Sequence, residues 1–330
     1  MKNCADLPAA LEGLRLPLIG SPLFIISQPE LVIAQCKAGI VGCFPALNAR
    51  EKDGQSLDEW LRRITQELDK HNQSNPDQAA APFAVNQIVH RSNSRLERDV
   101  EVCVKHKVPI WITSLGAREE VYQAAHSVGA IVLHDIINNR FAKKAIEKGA
   151  DGLIAVAAGA GGHAGTLSPL ALIQEIRSWF DGPLYLSGAI ATGDSILAAL
   201  AMGASGGYAG SAFIATKEAN ADIAYKRMIA DHSAEDIVYT NLFTGVHGNY
   251  LKPSIQAAGM DPDNLQQSDP STMNFGDDAE KPKSWKEIWG SGQGIGAVNE
   301  VTTTAELVDR LESEFADAQL RLQKTLSEFR

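Results

Sequence analysis

The chain has 330 residues, of which 45% are apolar and 21% charged. This is the composition of a globular protein with room for one large α/β barrel or two ordinary domains. The formal net charge of −10 provides no electrostatic footprint for nucleic acid, so nucleic-acid partners are excluded.

The cysteine pattern and the apolar runs predict a reduced cytoplasmic protein. Stretch 1–16 lacks the long apolar segment of a secretory signal, and no apolar run approaches membrane-spanning length. No CxxC pair occurs among Cys4, Cys36, Cys43 and Cys103, which argues against a zinc site and against a disulfide framework.

A strand and helix pattern repeats from residue 16 to about residue 231. Short apolar runs alternate with amphipathic stretches such as 118–129 and 139–151, which often end in glycine. The runs do not alternate strictly between apolar and polar residues, which is typical of parallel strands buried on both faces. The predicted strands are residues 16–23, 40–47, 82–88, 109–115, 130–136, 152–158, 183–190 and 206–214.

Eight such units predict a closed (β/α)8 TIM barrel. A doubly wound open sheet has the same local pattern, but the count of eight and two phosphate-type loops late in the series favour the barrel. In a barrel, the active site lies at the C-terminal ends of the strands. We therefore predict a catalytic barrel over residues 1–235.

Residues 236–330 depart from the repeat and are predicted to be an extension of the same domain, packing near the barrel mouth. Stretch 261–285 is polar and rich in Pro and Asp, as expected of a loop, and 285–298 is rich in glycine. Stretch 302–326 is an amphipathic helix with a threonine cap. Its apolar side chains pack either on the barrel or on a second subunit of a homodimer; they include Leu307, Leu311, Phe315 and Leu320.

Two loops suit a phosphate group. Small residues 187–189 follow the seventh strand, and residues 192–194 open a helix whose N-terminus can seat an anion. After the eighth strand, Gly210 and Ser211 offer backbone N–H groups and a hydroxyl. Small residues at a strand end also simply allow close helix packing, but their occurrence after both the seventh and the eighth strand favours phosphate.

His163 lies in the loop after the sixth strand, among Gly159, Gly161, Gly162 and Gly165. Glycine clears space beside a ligand, and imidazole can accept a proton near neutral pH. A solvated loop histidine is the alternative, but this density of glycines favours a base beside a flat cofactor.

The other histidines are weaker candidates. His134 and Asp135 end the fifth strand, but without a third ligand they do not make a metal site. His247 is ambiguous because its segment can reach the mouth. Surface positions are predicted for the rest, namely His71, His90, His106, His126 and His232.

Three motifs, "AGGHAGT", "SGAIATG" and "GYAGSAFIAT", resemble those of the nitronate monooxygenases, formerly called 2-nitropropane dioxygenases. They are also similar to those of related FMN barrels, the flavin-dependent enoyl-acyl-carrier-protein reductases and some NAD(P)H:quinone reductases. The late "WGSGQGIG" resembles the Gly-Gln segment of the family.

The resemblance implies an FMN-binding barrel in which His163 is the catalytic histidine. Asn86 on the third strand would contact the flavin, and Gly161 and Gly162 would line it beside the histidine. The remaining implied cofactor residues are the Gly-Gly-type phosphate pair Gly188 and Ala189, the second phosphate loop Tyr208, Ala209, Gly210 and Ser211, and Gln293 of the late segment.

The chain departs from the family pattern near the expected flavin and substrate. The first strand keeps Pro17 and Pro22 but has Ser21 and Leu23 and no glutamine, and the fourth strand has Ser114 where the family often has lysine or another polar residue. Because these positions lie near the expected flavin and substrate, the sequence does not identify the substrate or the electron donor.

The resemblance implies oxidation of alkyl nitronates or nitroalkanes by O2 to a carbonyl compound and nitrite, with His163 as the base. The alternative is an NAD(P)H-dependent flavin reductase that acts on an enoyl thioester or a quinone. A third hypothesis, of another class, is a phosphate-binding barrel without flavin.

Overall fold

The computed structural model describes residues 7–50, 55–268 and 288–329. The barrel strands are β1 (Leu18–Gly20), β2 (Gly42–Pro45), β3 (Phe83–Ile88), β4 (Ile110–Ser114), β5 (Ile131–Ile136), β6 (Gly152–Val156), β8 (Leu184–Ser187) and β9 (Gly206–Ala209), and the short β7 (Gly162–His163) lies in the loop after β6. These eight parallel barrel strands are hydrogen-bonded in the order β1-β9-β8-β6-β5-β4-β3-β2. A bridge between Ile19 and Val41 joins β1 to the start of β2 and closes the (β/α)8 barrel.

All eight predicted strands are present, and each is shorter than predicted; the last is predicted over 206–214. It ends at Ala209, and Ser211–Ile214 form the short helix α8. A continuous apolar run does not distinguish a strand from a buried helical turn, so the sequence pattern alone missed this change.

The helices cover the outside of the barrel. They are α1 (Pro29–Lys37), α2 (Leu57–Ser74), α3 (Leu96–Lys105), α4 (Glu119–His126), α5 (Asn139–Glu147), α6 (Pro169–Arg177), α7 (Gly193–Ala201), α8, α9 (Ile223–Asp231), α10 (Lys252–Ala257) and α11 (Thr304–Ser327). The predicted threonine cap of the last helix is Thr303, which forms a capping box with Glu306.

Two apolar cores explain why the strands lack an alternating pattern. Successive side chains of a strand point to opposite faces, and both faces are buried here. One face fills the barrel interior with side chains such as Ile19, Ile112 and Tyr185. The other face packs Phe44, Trp111 and their neighbours against the helices.

The described C-terminal residues contact the barrel through a small sheet, a long helix and the glycine-rich segment between them. Strands β10 (Ile237–Thr240) and β11 (Gly248–Leu251) form an antiparallel pair, and β11 also pairs with β7 in the loop after β6. Helix α11 packs on α7 and α1, burying Leu307 and Leu311 and partly burying Phe315, whereas Leu320 is exposed. Most of the predicted loop 261–285, namely 269–285, lies outside the described residues.

No helix within the described ranges has both the length and the apolar character needed to span a membrane.

Candidate active site

Polar side chains form the uppermost layer of the barrel interior, at the C-terminal ends of the strands. Ser114 and Asp135 are the last inward-facing residues of β4 and β5, above the apolar Ile112 and Leu133, and Asn86 faces inward two residues before the end of β3. Because ligands of (β/α)8 barrels bind at this face, these side chains lie where chemistry is expected.

A hydrogen-bonded chain links these three residues. Asn86 Nδ2 donates to Ser114 Oγ at 2.7 Å and to the carbonyl oxygen of Ile112 at 3.3 Å. Ser114 Oγ donates to Asp135 Oδ2 at 2.5 Å. Because both amide hydrogens of Asn86 are used within the protein, its Oδ1 is the group available to accept a hydrogen bond from a bound molecule.

Asp135 is a functional candidate that the sequence suggested only as a weak metal ligand. Its Oδ1 is buried and has no hydrogen-bond partner among the described residues. Burial raises the pKa of Asp135 to about 7, against the opposing effect of the Ser114 hydrogen bond. The Tyr208 phenol lies in the same region, and burial raises its pKa well above the usual value, with the Asp135 charge adding to the effect.

The predicted first phosphate loop contains two residues in unusual backbone conformations. Gly188 has a φ of 145°, and a Cβ there would lie 2.8 Å from the carbonyl oxygen of Ala158. Ala189 has a φ of 56°, in the left-handed region that favours glycine. Its N–H donates to the carbonyl oxygen of Gly159 at 3.3 Å, which connects this loop to the loop that carries His163.

The second predicted phosphate loop presents backbone N–H groups at the mouth. Over the described part of the chain, the N–H groups of Gly210, Ser211 and Ala212 have no hydrogen-bond acceptor. The Ser211 hydroxyl instead accepts a hydrogen bond from the N–H of Gly292 at 2.9 Å. The loop can therefore bind an anion through amides, although its hydroxyl holds the late glycine-rich segment in place.

The start of α7 is not open to an external anion, and the expectation for residues 192–194 is wrong. The Gly193 N–H donates to Oε2 of Glu314 at 2.9 Å, and Thr192 Oγ1 accepts from the N–H of Ser195 at 3.1 Å. A Cβ at Gly193 would meet the backbone nitrogen of Phe315. Helix α11 therefore covers the start of α7 and supplies its own carboxylate.

The glycines around His163 allow close backbone packing as well as space for a ligand. A Cβ at Gly161 would lie 2.7 Å from the nitrogen of Gly292. His163 pairs with Gly248 of β11, where a Cβ would lie 2.6 Å from the Gly162 carbonyl oxygen. The C-terminal residues thus hold the histidine loop in place.

The hydroxyl of Thr244 lies next to the His163 ring. It donates to the carbonyl oxygen of Val246 at 2.7 Å, and its oxygen lies 3.2 Å from His163 Nε2. This geometry favours the neutral tautomer that carries its hydrogen on Nε2. Burial lowers the pKa of His163 to about 4, so the ring is neutral at pH 7. Thr244 carries no motif, and the sequence analysis missed it.

Gln293 lies where the histidine loop and the first phosphate loop meet. Its N–H donates to the Gly159 carbonyl oxygen at 2.9 Å, and its side chain lies against Gly159. A cavity of about 450 Å³ borders Gln293 and Ala189. The structure thus brings residues from the loops after β6 and β8 into contact with the late segment, while Asn86 lies near the end of β3.

The other histidines lie away from the mouth or are occupied. His134 faces outward from β5, where its Nδ1 lies 2.7 Å from Thr113 Oγ1, and His247 stacks on Tyr239 with ring centroids 5.1 Å apart. Among the residues that the structure describes, no group of three His, Cys, Asp or Glu side chains could hold a metal ion. Of the predicted surface histidines, only His126 is exposed, while the half-buried ones are His71, His90, His106 and His232.

Comparison with known proteins identifies the family and the fold. A model of the nitronate monooxygenase family matches residues 9–314. The nitronate monooxygenase of Paraburkholderia phytofirmans is 25% identical over 310 residues, which cover 82% of this chain and 82% of that protein. The crystal structure of a nitroalkane oxidase from Streptomyces ansochromogenes shares the fold, with a TM-score of 0.77 and 22% identity over 96% of this chain and 100% of that chain.

A second relative has a different activity. The (3aS,4S,5R,7aS)-5-hydroxy-7a-methyl-1-oxo-octahydro-1H-indene-4-carboxyl-CoA dehydrogenase of Rhodococcus jostii is 22% identical over 245 residues. The match covers 74% of this chain and 65% of that protein, so this chain spans less than two thirds of its length. Because the family model covers nearly the whole chain, the protein belongs to the nitronate monooxygenase family and is a flavin-dependent oxidoreductase.

Proposed function

We propose that this protein binds FMN at the barrel mouth and oxidises alkyl nitronates, or the parent nitroalkanes, with O2 to a carbonyl compound and nitrite. The observation that carries the proposal is the placement of His163. The ring is half-buried and neutral at pH 7, and it lies in a glycine loop that contacts both predicted phosphate loops through Gly159 and Gly161.

The residues at the mouth fit FMN. The N–H groups of residues 210–212 suit the terminal phosphate, and no lysine or arginine is needed to neutralise it. Backbone approaches closely at Gly188 and Gly161, and Asn86 Oδ1 can accept a hydrogen bond from the ring system. When bound, the flavin supplies the two-electron redox chemistry, and the protein supplies binding, orientation and proton transfer.

The electrostatics of His163 favour the nitronate over the neutral nitroalkane as substrate. A nitronate is already deprotonated, so its oxidation needs no base. A nitroalkane must lose a carbon-bound proton, which His163 Nδ1 would accept. A base with a pKa near 4 works well below its optimum at pH 7, where the best general bases have a pKa near 7. The protein is therefore expected to turn over nitronates faster than nitroalkanes.

The test is a visible spectrum of the purified protein, followed by anaerobic addition of propyl-2-nitronate. We expect bound FMN that bleaches on addition of the nitronate, and nitrite when oxygen is admitted. A colourless protein that takes up no added FMN would contradict the proposal and favour the phosphate-binding barrel without flavin.

A second candidate function is an NAD(P)H-dependent reductase that acts on an enoyl thioester or a quinone. It is favoured by the similarity to a dehydrogenase whose name specifies a CoA thioester. Rapid anaerobic bleaching of the flavin by NADH, with no bleaching by nitronate, would select this function over the first.

A further inference from the structure

Asp135 places a carboxyl group in an otherwise apolar barrel interior. It is the last inward-facing residue of β5, two positions above Leu133. Its Oδ2 accepts one hydrogen bond, from Ser114, and its Oδ1 is buried without a partner among the described residues. A buried anionic oxygen without a hydrogen bond is costly, so this carboxyl group responds strongly to any change in its solvation.

The groups that face Asp135 do not compensate its charge. Strands β3 and β4 contribute the uncharged Asn86 and Ser114. Strands β2 and β9 contribute the Cys43 thiol and the Tyr208 phenol, and burial raises the pKa of each so that both are neutral at pH 7. In the described part of the chain, no lysine, arginine or histidine affects the pKa of Asp135.

Part of Asp135 still reaches solvent at the mouth. The residue as a whole is half-buried although its Oδ1 is not exposed, and its pKa is raised to about 7. A molecule that contacts Asn86 at the mouth lies beside the hydrogen-bonded chain that leads from Asn86 through Ser114 to Asp135. Such a molecule would exclude solvent from Asp135.

We propose that Asp135 takes up one proton when FMN binds and so links the affinity for the cofactor to pH. The inference rests on the proposed FMN site. Loss of solvent disfavours the carboxylate, whereas the protonated acid gains an O–H donor and leaves no unpaired anionic oxygen in the barrel.

The direction of the pH dependence follows from linkage. Above about pH 7 the free protein is ionised at Asp135 and the complex is protonated, so binding takes up a proton and affinity falls as pH rises, by up to about tenfold per pH unit. Below about pH 7 both forms are protonated at this residue, and its contribution to the pH dependence disappears.

The experiment is calorimetric titration of the flavin-free protein with FMN near pH 8, in two buffers of different ionisation enthalpy. Riboflavin is titrated in parallel because it lacks the phosphate, whose own ionisation near pH 6 would otherwise contribute. We expect uptake of about one proton per flavin with either ligand. Asp135→Asn removes this uptake. Asp309→Asn makes the same chemical change at an exposed residue paired with Arg15 and leaves the uptake unchanged.

A second variant keeps the test informative if Asp135→Asn does not fold. In the wild-type protein the hydrogen bond from Ser114 lowers the pKa of Asp135. Ser114→Ala retains the carboxyl group and removes this hydrogen bond, so the pKa of Asp135 rises. The free variant is then already partly protonated near pH 8, so proton uptake decreases and its onset moves to higher pH.

Each other outcome overturns the inference. FMN binding to the wild-type protein without proton uptake, or with proton release, would refute the role of Asp135 and leave the FMN site standing. Equal uptake by wild type and Asp135→Asn would do the same. Failure of the wild-type protein to bind FMN would overturn this inference and the proposed function together.

Discussion

The backbone N–H of Gly193 donates a hydrogen bond to Glu314 Oε2 at 2.9 Å, joining the first turn of α7 to the middle of α11. Arg310 holds the same carboxylate through Oε1 at 2.9 Å and also donates to the carbonyl oxygen of Ala191 at 3.3 Å. Because an internal carboxylate fills this helix start, an external phosphate must bind amides elsewhere at the mouth, such as those after β9.

Glu314→Ala is expected to lower the free energy of unfolding by about 1 kcal/mol, because the Gly193 N–H loses a charged acceptor in a half-buried position. Urea denaturation measures this change. FMN affinity should stay within about threefold of wild type, less than the effect of losing one hydrogen bond to the ligand. Unchanged stability together with a large loss of FMN affinity would instead place the start of α7 in the cofactor site.

Gly188→Ala is expected to destabilise the protein and to weaken FMN binding, because the new Cβ would meet the Ala158 carbonyl oxygen at a positive φ. Gly129→Ala is the matched control. It also has a positive φ, 77°, but its Cβ would meet nothing within 4 Å. The control should lose about 1 kcal/mol of unfolding free energy, and Gly188→Ala about 2 to 3 kcal/mol. Equal losses in thermal and urea melts would show that the Ala158 contact is unimportant.

His163→Ala is expected to reduce turnover of neutral nitroalkanes by about 10² to 10⁴ and to affect pre-formed nitronates much less, since only the nitroalkane needs a base. Nitrite release from 2-nitropropane and from propyl-2-nitronate measures both. Equal losses for the two substrates would remove proton abstraction from the role of His163.

Thr244→Val should shift His163 toward a mixture of neutral tautomers, because Nε2–H loses its acceptor. Thr244→Ser keeps the hydroxyl and should restore the wild-type state. The ¹⁵N shifts of the His163 ring report the tautomer directly, with His163→Ala giving the assignment. A spectrum of Thr244→Val identical to that of wild type would show that the hydroxyl does not select the tautomer.

Two buried groups should give opposite pH dependences of stability. Burial lowers the pKa of His134 to about 4, below its usual value near 6.5, so between these values the unfolded chain binds the extra proton and stability rises with pH. The pKa of Asp135 is raised to about 7, so between about pH 4 and 7 the folded chain binds the extra proton and stability falls as pH rises.

His134→Gln should therefore reduce the slope of unfolding free energy against pH, and Asp135→Asn should increase it. Each change is at most about 1.4 kcal/mol per pH unit, the value for one proton. Urea titrations between about pH 4.5 and 6.5 measure the slopes. Slope changes of the same sign would contradict the assignment of one buried neutral histidine and one protonated carboxyl group.

Local pattern was sufficient to predict the barrel and the position of its histidine loop. Strands that are buried on both faces appear in the sequence as apolar runs, and each run is followed by an amphipathic helix. The eight strand and helix units can therefore be counted from the sequence. The position of His163 after the sixth run follows from the same count, because loops after barrel strands lie at one face.

Tertiary contacts decided which groups at that face are available. Gly193 and Glu314 are 121 positions apart, and His163 and Thr244 are 81 apart, so no window of sequence relates them. The chain from Asn86 through Ser114 to Asp135 exists because strand register places inward-facing residues near the C-terminal ends of three neighbouring strands side by side: Ser114 is in register with Ile88, two residues beyond Asn86. Apolar periodicity indicates that a strand is buried. Hydrogen bonds between residues distant in sequence form only when the closed barrel brings their polar atoms to within about 3 Å of each other. The hydrogen-bond partners at the site therefore could be identified only from the tertiary structure.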